Sequence, residues 1–298
     1  MSEQIHTPVL LDEVLEYLDV QPGKVIIDCT LAEGGHAFSI AEKIAPNGKL
    51  IGLEWDPVLF QEIVKKISVS SFAGQIIAIN DSYLNLKKIC KSQNIEPEGI
   101  LFDLGLSSWH YEQSGRGFSF LRDEILDMRF NPTQGQTAAE LINSFSEVEL
   151  SRILAEYGEE KFSESIAKAI SQARKKKRII TTFDLVKVIE SAVPNWYKHR
   201  KINFATKTFQ ALRIAVNNEL ENVRQGVQAS LDVVKPGGRV VVISFQGLED
   251  KIVKDIFKQK VKEKIVSFVS KGTIQPSWSE QLANRRARSA KMKVVQKL

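Results

Sequence analysis

Four short apolar runs alternate with helical segments in the first 105 residues, and this alternation constrains the fold more than any other feature. The runs lie at 24–28, 49–54, 75–79 and 98–103, and helices are predicted at 36–45, 57–67 and 83–92. Strands joined to helices by short links form a parallel sheet that helices cover on both faces. The sequence therefore predicts an α/β fold with a doubly wound, mostly parallel sheet.

A turn with adjacent glycines joins the first predicted strand to the first predicted helix. It reads Asp28-Cys-Thr-Leu-Ala-Glu-Gly-Gly-His36, and the second apolar run ends in Glu54. Gly34 and Gly35 let a ligand approach the backbone at a helix N-terminus. An acid at position 54 can accept hydrogen bonds from the hydroxyls of a ribose. Together the turn and the acid predict a nucleoside-containing cofactor.

The identity of that cofactor depends on what the turn lacks. The dinucleotide-binding pattern G-x-G-x-x-G is absent, and Glu33 would repel a pyrophosphate. Further along, a helix, Lys235-Pro-Gly-Gly238 and a strong apolar run at 239–245 resemble the connection before the fifth strand of Rossmann-like methyltransferases. These features favour S-adenosylmethionine over NAD.

The rest of the chain predicts a helical insertion and the remainder of the sheet domain. Thr7 as a cap and Pro8 at the first position predict an N-terminal amphipathic helix. Residues 104–135 predict a long ordered loop, followed by helices at 138–142, 146–157, 161–177 and 182–191. A long helix at 204–234 precedes a strand at 239–245, a helix at 248–260 and weaker strands at 263–269 and 290–297. We expect a discontinuous α/β domain of residues 1–105 and 210–298, interrupted by an all-helical domain of residues 106–209.

Composition limits the compartment and the partners. The 298 residues contain only two cysteines, Cys29 and Cys90, without metal-ligand spacing, which fits a reducing cytoplasm and predicts no metal site. No apolar stretch approaches the roughly 20 residues that cross a bilayer. The net charge of +5 is uneven, because residues 251–298 hold 13 Lys and Arg against three acids. A basic C-terminal segment indicates an anionic partner, most often a nucleic acid, although it can also be a solvated surface.

Longer motifs resemble one methyltransferase family across nearly the whole chain. The matching segments, in order, are His6–Glu13, Asp28–His36, Asp103–Ser108, Arg116–Phe120, Leu126–Arg129, Tyr157–Glu160, Thr208–Arg213, Ile243–Phe245, Leu248–Asp250 and Arg286–Ser289. The chain is thereby identified as similar to the RsmH (MraW) family, which methylates N4 of a cytosine in the decoding region of bacterial 16S rRNA. The resemblance implies a Rossmann-like class I methyltransferase that uses S-adenosylmethionine and acts on the small ribosomal subunit.

The resemblance also assigns candidate cofactor contacts. They fall on Gly34, Gly35, His36, Glu54, Tyr83, Asp103 and His110. Tyr83 could stack on adenine or serve as core packing, and His36 could simply cap a helix. Asp103 at the end of a strand is hard to explain as packing, because a buried carboxylate without a partner is costly.

The chain departs from the family pattern at five positions. Ala32 stands where the family has Gly, Glu54 where Asp is more frequent, and His110 where Gln is usual. The family's Ile-Ser-Phe-His-Ser becomes Ile243-Ser-Phe-Gln-Gly247. If that His were an essential base, this chain would be inactive. We expect instead that the residue positions a neighbour, a role that Gln246 can fill by hydrogen bonding.

Methyl transfer to an exocyclic amine needs a hydrogen-bond acceptor near the nitrogen, because the lone pair of cytosine N4 is delocalised into the ring. Many amino-methyltransferases supply it with Asn/Asp-Pro-Pro-Tyr/Phe after the fourth strand, and this chain has Asp103–Ser108 there. Our hypothesis is that Asp103 or the adjacent backbone carbonyls accept from the amine.

Basic residues predict where RNA could be held. Arg116, Arg122 and Arg129 flank Phe118 and Phe120, a pattern that suits single-stranded RNA. Equally, the two rings could be buried while the arginines pair with nearby acids. Further candidates are Arg174–Arg178, Lys198–Lys201 and Arg285–Arg288.

Two other functions remain open at this point. The same chemistry could act on DNA or another RNA, or the chain could be a non-catalytic RNA-binding or ribosome-assembly factor. The second is disfavoured because the glycine turn, Glu54 and Asp103 are all retained.

Overall fold

The computed structural model describes residues 8–298 and divides into two compact units. Among the described residues, the first unit comprises 8–105 and 220–298, and the second comprises 106–219. The sequence predicts the second boundary near residue 210. The structure has it at 219/220, at the start of a helix.

The first unit is built on a sheet of seven strands within the described residues. The strands are β1 (Val25–Asp28), β2 (Lys49–Leu53), β3 (Ile76–Ile79), β4 (Gly99–Asp103), β5 (Arg239–Ser244), β6 (Val266–Phe268) and β7 (Lys291–Lys297). Their order is β3-β2-β1-β4-β5-β7-β6. The first five are parallel, and β7 runs antiparallel to both of its neighbours. This order is the arrangement of Rossmann-like class I methyltransferases, as the sequence predicts.

Alternate residues of the strands enter two separate cores, one on each face of the sheet. Ile27, Phe102 and Val242 belong to one core. Ile26 and Leu101 belong to the other. Helices cover both cores, which explains why these strands are apolar on both faces. The helices of this unit are α1 (Leu11–Tyr17), α2 (Gly35–Ile44), α3 (Pro57–Ser68), α4 (Leu86–Gln93), α12 (Glu219–Val233), α13 (Gly247–Lys262) and α14 (Trp278–Ala283).

The second unit is helical and has its own hydrophobic core. Its helices are α5 (Ser108–Glu112), α6 (Ala138–Ser144), α7 (Glu147–Gly158), α8 (Ser163–Lys176), α9 (Thr182–Ala192), α10 (Asn195–Lys198) and α11 (Thr206–Asn217). Thr137 and Ser146 each close a capping box with the glutamate three residues later, which fixes where α6 and α7 begin.

The structure corrects two helix predictions. The N-terminal helix begins at Leu11 rather than at Pro8, because Leu10 has a left-handed backbone (φ 56°); Thr7 lies outside the described residues. The long helix predicted at 204–234 is two helices, because Asn218 is also left-handed (φ 49°) and ends α11. The short helices α5, α10 and α14 were not predicted.

Candidate active site

The carboxyl ends of three parallel strands bring acidic side chains to one edge of the sheet. Asp28 ends β1, Asp103 ends β4, and Glu54 directly follows β2. In the strand register Asp28 lies beside Gly52 of β2 and beside Leu101 of β4. In open α/β sheets, ligands bind outside this edge, where the strand order reverses. The order reverses here between β1 and β4.

The glycine turn is shaped for close backbone approach. Gly34 has φ +84° and caps α2, and a Cβ on it would lie 2.7 Å from Phe38 and 2.8 Å from Ile63. A Cβ on Gly35 would lie 3.3 Å from Pro8. Any larger residue at position 34 is excluded by both the backbone and the neighbours. Gly34 is buried and Gly35 is exposed, so the turn presents its accessible backbone at Gly35, in the first turn of α2.

Ala32 holds the turn against the acid. Its backbone is left-handed (φ 45°), a conformation that glycine adopts without strain. Its N–H donates to Oε2 of Glu54 at 3.0 Å. The glycine of the family at this position is thus explained by the backbone conformation, and this chain tolerates the strain with alanine.

Glu54 is buried and still has acceptor capacity. Its Oε1 accepts from the N–H of Asp56 at 2.8 Å, and its Oε2 accepts from Ala32. Each carboxylate oxygen has a second lone pair that can accept from a hydroxyl. Burial is the main cause that raises the pKa of Glu54 to about 8.

Asp103 has one carboxylate oxygen without a hydrogen bond. Its backbone N–H donates to Oγ1 of Thr30 at 2.7 Å, and its Oδ2 lies 3.5 Å from Nδ1 of His36. Although 27% of the side chain is exposed, its Oδ1 is shielded from solvent and has no partner among the described residues. Burial, followed by the charges of Asp28 and Glu249, raises the pKa of Asp103 to about 8.

His36 links Asp103 to the N-terminal segment. Its Nε2 lies 3.0 Å from the carbonyl oxygen of Val9, which can only accept, so this nitrogen carries a proton. The side chain is 5% exposed. His36 is the second residue of α2 and does not cap it, because Gly34 is the N-cap and no side chain makes a capping hydrogen bond there. The neighbouring N–H of Leu10 donates to Oε1 of Glu280 at 2.7 Å, so α14 holds the same segment in place.

Gln246 forms a hydrogen bond to a buried acid, whose identity the sequence did not predict. Its Nε2 donates to Oε1 of Glu249 at 3.0 Å, and Oε2 of Glu249 accepts from the N–H of Phe245 at 3.2 Å. Glu249 is 2% exposed and contributes to the raised pKa of Asp103. Gln246 thus positions Glu249, and the charge of Glu249 helps to raise the pKa of Asp103.

Two residues of the site were not predicted from the sequence. Thr30 donates to Asp28 and accepts from Asp103, so it ties the ends of β1 and β4 together. Glu249 is the second. Both lie inside motifs that resemble the family, Asp28–His36 and Leu248–Asp250, and this position was the available signal.

Tyr83 lies after β3 and packs against the core. Its ring meets Phe102 edge-on, with the ring centroids 5.5 Å apart. A Cβ on Gly226 of α12 would lie 2.5 Å from the ring, so the glycine makes room for it. The observed role of Tyr83 is therefore packing against the core.

His110 belongs to the second unit, where it sits in an aromatic cluster. Its Nδ1 lies 2.8 Å from Oγ of Ser107. Its ring meets those of Phe118 and Phe130 edge-on, with centroid distances of 5.1 and 5.2 Å. The rings of Phe118 and Phe130 stack on each other. The side chain is 6% exposed, so packing is its visible role.

The arginines of the long loop hold the loop together. Arg116 donates to the carbonyls of Arg129 and Phe130 at 2.9 and 3.0 Å. Arg129 forms a two-pronged ion pair with Asp127. Arg122 donates to the carbonyls of Tyr111 and Glu112 at the end of α5. The structural role that the sequence left open is observed, since Arg129 pairs with Asp127 and Phe118 is buried.

The sheet edge fits a cationic nucleoside ligand better than a phosphate. Asp28, Glu54, Asp103 and Glu249 are acids at this edge, and burial raises the pKa of the first to about 6. A sulfonium or ammonium group would relieve their mutual repulsion, and a pyrophosphate would increase it. The unpartnered Oδ1 of Asp103 supplies an acceptor. Gly35, which is exposed, supplies accessible backbone in the turn.

Comparison with known proteins decides the family. The profile of the MraW methylase family matches residues 3–298. The chain belongs to the MraW methylase family. The resemblance that the sequence motifs indicated is therefore confirmed. The predictions of a Rossmann-like methyltransferase fold and of S-adenosylmethionine as cofactor are confirmed with it.

Curated relatives of this MraW methylase extend over almost its full length. The chain is 45% identical to the ribosomal RNA small subunit methyltransferase H of Dictyoglomus thermophilum, covering 98% of this chain and 96% of the relative. It is 40% identical to the protein of that name from Persephonella marina (98% and 99% covered) and 39% identical to that of Finegoldia magna (98% and 98%).

Residues 8–298 were searched for membrane-crossing helices and for clusters of metal-ligating side chains. In that part of the chain no helix has both the length and the apolar character to cross a membrane. No group of three or more His, Cys, Asp or Glu there has the arrangement of a metal site. Cys29 and Cys90 are both buried free thiols.

Proposed function

We propose that this chain transfers a methyl group from S-adenosylmethionine to the N4 amine of a cytosine in the decoding region of 16S rRNA, in the small ribosomal subunit. The family and the names of the relatives support an rRNA substrate. The observation that carries the choice of an amine is the unpartnered Oδ1 of Asp103 at the carboxyl end of β4. The cofactor supplies the methyl group on a sulfonium.

Asp103 is the proposed catalytic residue. An acceptor at Oδ1 takes a hydrogen bond from the exocyclic N–H, which draws electron density toward nitrogen and orients its lone pair. As nitrogen gains the methyl group it becomes positive and then loses one proton. A carboxylate beside it stabilises that charge and can receive the proton, directly or through water.

His36 is a positioning residue in this proposal. Because its Nε2 carries the proton directed at Val9, its Nδ1 faces Oδ2 of Asp103 as an acceptor or shares a proton with it. A proton held between Nδ1 of His36 and Oδ2 of Asp103 occupies Oδ2 and not Oδ1. Oδ1 is thereby left as an acceptor in the protonated form of Asp103, which predominates at pH 7 because the pKa is about 8. The ionised form, which can also receive the proton of the amine, increases as pH rises toward that pKa.

The cofactor is proposed to lie on the glycine turn. The backbone at Gly34 and Gly35 and the acid Glu54 are its proposed contacts, together with His36 and Asp103. Glu54 supports this role because both of its oxygens keep a lone pair for the ribose hydroxyls. Tyr83 and His110 remain proposed contacts with less support, since packing accounts for what the structure describes of both.

The second unit is proposed to recognise the RNA. Its basic segments, Arg174–Arg178 and Lys198–Lys201, have mostly exposed side chains, in contrast to the loop arginines Arg116 and Arg129. Exposed cations can bind phosphates without breaking interactions that hold the fold.

The proposal is tested by methyl transfer from radiolabelled S-adenosylmethionine to intact small subunits, naked 16S rRNA and DNA, followed by digestion to nucleosides. Label in N4-methylcytidine from rRNA is expected. Label in any other nucleoside, or only from DNA, would contradict it. If titration calorimetry detects no binding of S-adenosylmethionine, the function is that of a non-catalytic assembly factor instead.

A further inference from the structure

Trp196 is an exposed aromatic side chain that is nevertheless fixed in place. It lies on α10, and 60% of the residue is exposed. Its ring meets Phe162 at 5.9 Å and Tyr197 at 5.7 Å between centroids, at interplanar angles of 62° and 88°. Edge-on contacts of this kind hold a ring from the side. Part of the indole surface therefore stays open to solvent in a defined orientation.

A buried carboxylate anchors this aromatic group from inside the unit. The hydroxyl of Tyr197 donates to Glu160, with oxygen distances of 3.0 and 2.9 Å, and Glu160 is 3% exposed. Oε1 of Glu160 also accepts from the N–H of Phe162 at 3.0 Å. One acid thus fixes both neighbours of Trp196, so little conformational entropy is lost when a ligand binds to the ring.

The segment that carries Trp196, between Glu190 and Glu219, is basic. From residue 191 to residue 218 there are five Lys or Arg and no Asp or Glu. The Arg200 guanidinium lies 5.1 Å from the centroid of the Tyr197 ring. Among the described residues, Lys198 and Lys201 have no ion pair, and Lys201 is exposed. An isolated apolar contact surface for a protein would not need this concentration of cations.

We propose that Trp196 stacks on an unpaired base of the RNA substrate while Lys198, Arg200 and Lys201 bind the adjoining phosphates. The inference rests on the proposed function only in taking the ligand to be RNA. An aromatic face beside cations is the arrangement by which proteins hold single-stranded nucleic acid. Stacking recognises any base, so this surface, here called the Trp196 platform, adds affinity and register rather than sequence selection.

The test measures binding of the full chain to a fluorescently labelled, unstructured oligoribonucleotide of about ten nucleotides, a length of the order of the sites on single-strand-binding folds. Trp196→Ala is expected to weaken binding by roughly 5- to 100-fold, the effect of removing one stacked base. Trp196→Phe retains a ring and is expected to recover most of the affinity. Trp278→Ala is the matched control, because Trp278 is 74% exposed but lies in the first unit.

A second measurement separates phosphate binding from stacking. Changing both Lys198 and Lys201 to alanine is expected to reduce the slope of log K against log salt by about 0.7 for each phosphate that the variant no longer neutralises. Trp196→Ala is expected to leave that slope unchanged. Thermal unfolding of all variants checks that the fold is intact, since the substituted side chains are largely exposed.

Unchanged oligonucleotide affinity in Trp196→Ala would overturn the inference, as would an equal loss of affinity in Trp278→Ala. If Trp196→Ala impairs methylation of small subunits but not oligonucleotide binding, the platform contacts a protein, and the inference also fails. These results are distinct from failure of the proposed function, which is read from the wild-type chain and the nucleoside that it labels.

Discussion

Nδ1 of His36 lies 3.5 Å from Oδ2 of Asp103, while Nε2 of the same ring faces the carbonyl oxygen of Val9 at 3.0 Å. The imidazole therefore connects the N-terminal segment to the end of β4. Because the Val9 carbonyl fixes the proton on Nε2, the ring can interact with Asp103 only through Nδ1. Oδ1 of Asp103 is shielded from solvent and has no hydrogen-bond partner among the described residues.

The raised pKa of Asp103 predicts a stability effect with a definite sign. An acid whose pKa is about 8 in the folded state and near 4 when unfolded binds more protons in the folded state between these values, so stability falls as pH rises through that range. Asp103→Asn removes this contribution. We expect the variant to match the wild type near pH 4 and to have a higher Tm near pH 8.5. Asp255→Asn, at an exposed position of α13, is the control, and calorimetric scans across pH measure both.

The acidic edge also predicts pH-dependent cofactor binding. A sulfonium cation favours ionised carboxylates, so its affinity rises as pH increases between the pKa values of about 6 for Asp28 and about 8 for Glu54 and Asp103. S-adenosylhomocysteine lacks that charge but shares the remaining groups. We expect the affinity ratio of the two ligands to increase from pH 6 to pH 8.5 in titration calorimetry. A ratio that does not change with pH would show that these carboxylates do not sense the sulfonium.

The left-handed backbone at Ala32 leads us to expect that glycine at this position stabilises the fold. With φ at 45°, alanine is strained where glycine is not, so Ala32→Gly should raise stability by roughly 0.5–1 kcal/mol after the larger unfolded-state entropy of glycine is subtracted. Ala73→Gly, at an exposed turn residue without positive φ, should lower stability by roughly the same amount. Denaturant unfolding measures both. Destabilisation in both variants to the same degree would contradict the account of Ala32.

Because Gln246 stands where the family has histidine, we expect that no essential base is needed at this position. Gln246 already donates to Glu249, and a histidine could make the same hydrogen bond. We expect Gln246→His to change kcat by less than about threefold, since a general base contributes typically 10²–10⁴-fold. Gln246→Leu, which keeps the size but removes the donor, should lower kcat more. A gain of about 100-fold or more in Gln246→His would assign that position a base.

The sheet and its carboxyl edge were predictable because their signals are local. Runs such as Arg239–Ser244 are short and β-branched, and the acids that end the strands stand next to the glycine turn or after an apolar run. The break at Asn218 was not predictable. The Asn217 side chain beside it accepts from the N–H of Phe130 and donates to the carbonyl of Met128, residues distant in sequence. The apolar periodicity of 204–234 continues through this break and does not reveal it.

The candidate site also combines residues that have local sequence signals with contacts between segments distant in sequence. Motifs located Asp103, Gly34 and Glu54, because such residues recur at fixed places in the fold. The contact of His36 with Val9 and that of Glu280 with Leu10 depend on segments that meet only in three dimensions. The loop arginines were ambiguous for this reason, since exposed and loop-bound arginines look alike in a sequence.

The central claim is that Asp103 acts on the amine and not only on the cofactor. The most direct measurement compares Asp103→Ala with the wild type in two quantities, kcat on small subunits and the Kd of S-adenosylmethionine from titration calorimetry. We expect kcat to fall by roughly 100-fold or more, while Kd rises by less than about tenfold. Losses of equal size in kcat/KM and in cofactor affinity, with kcat at saturating cofactor unchanged, would show that Asp103 is a cofactor ligand alone.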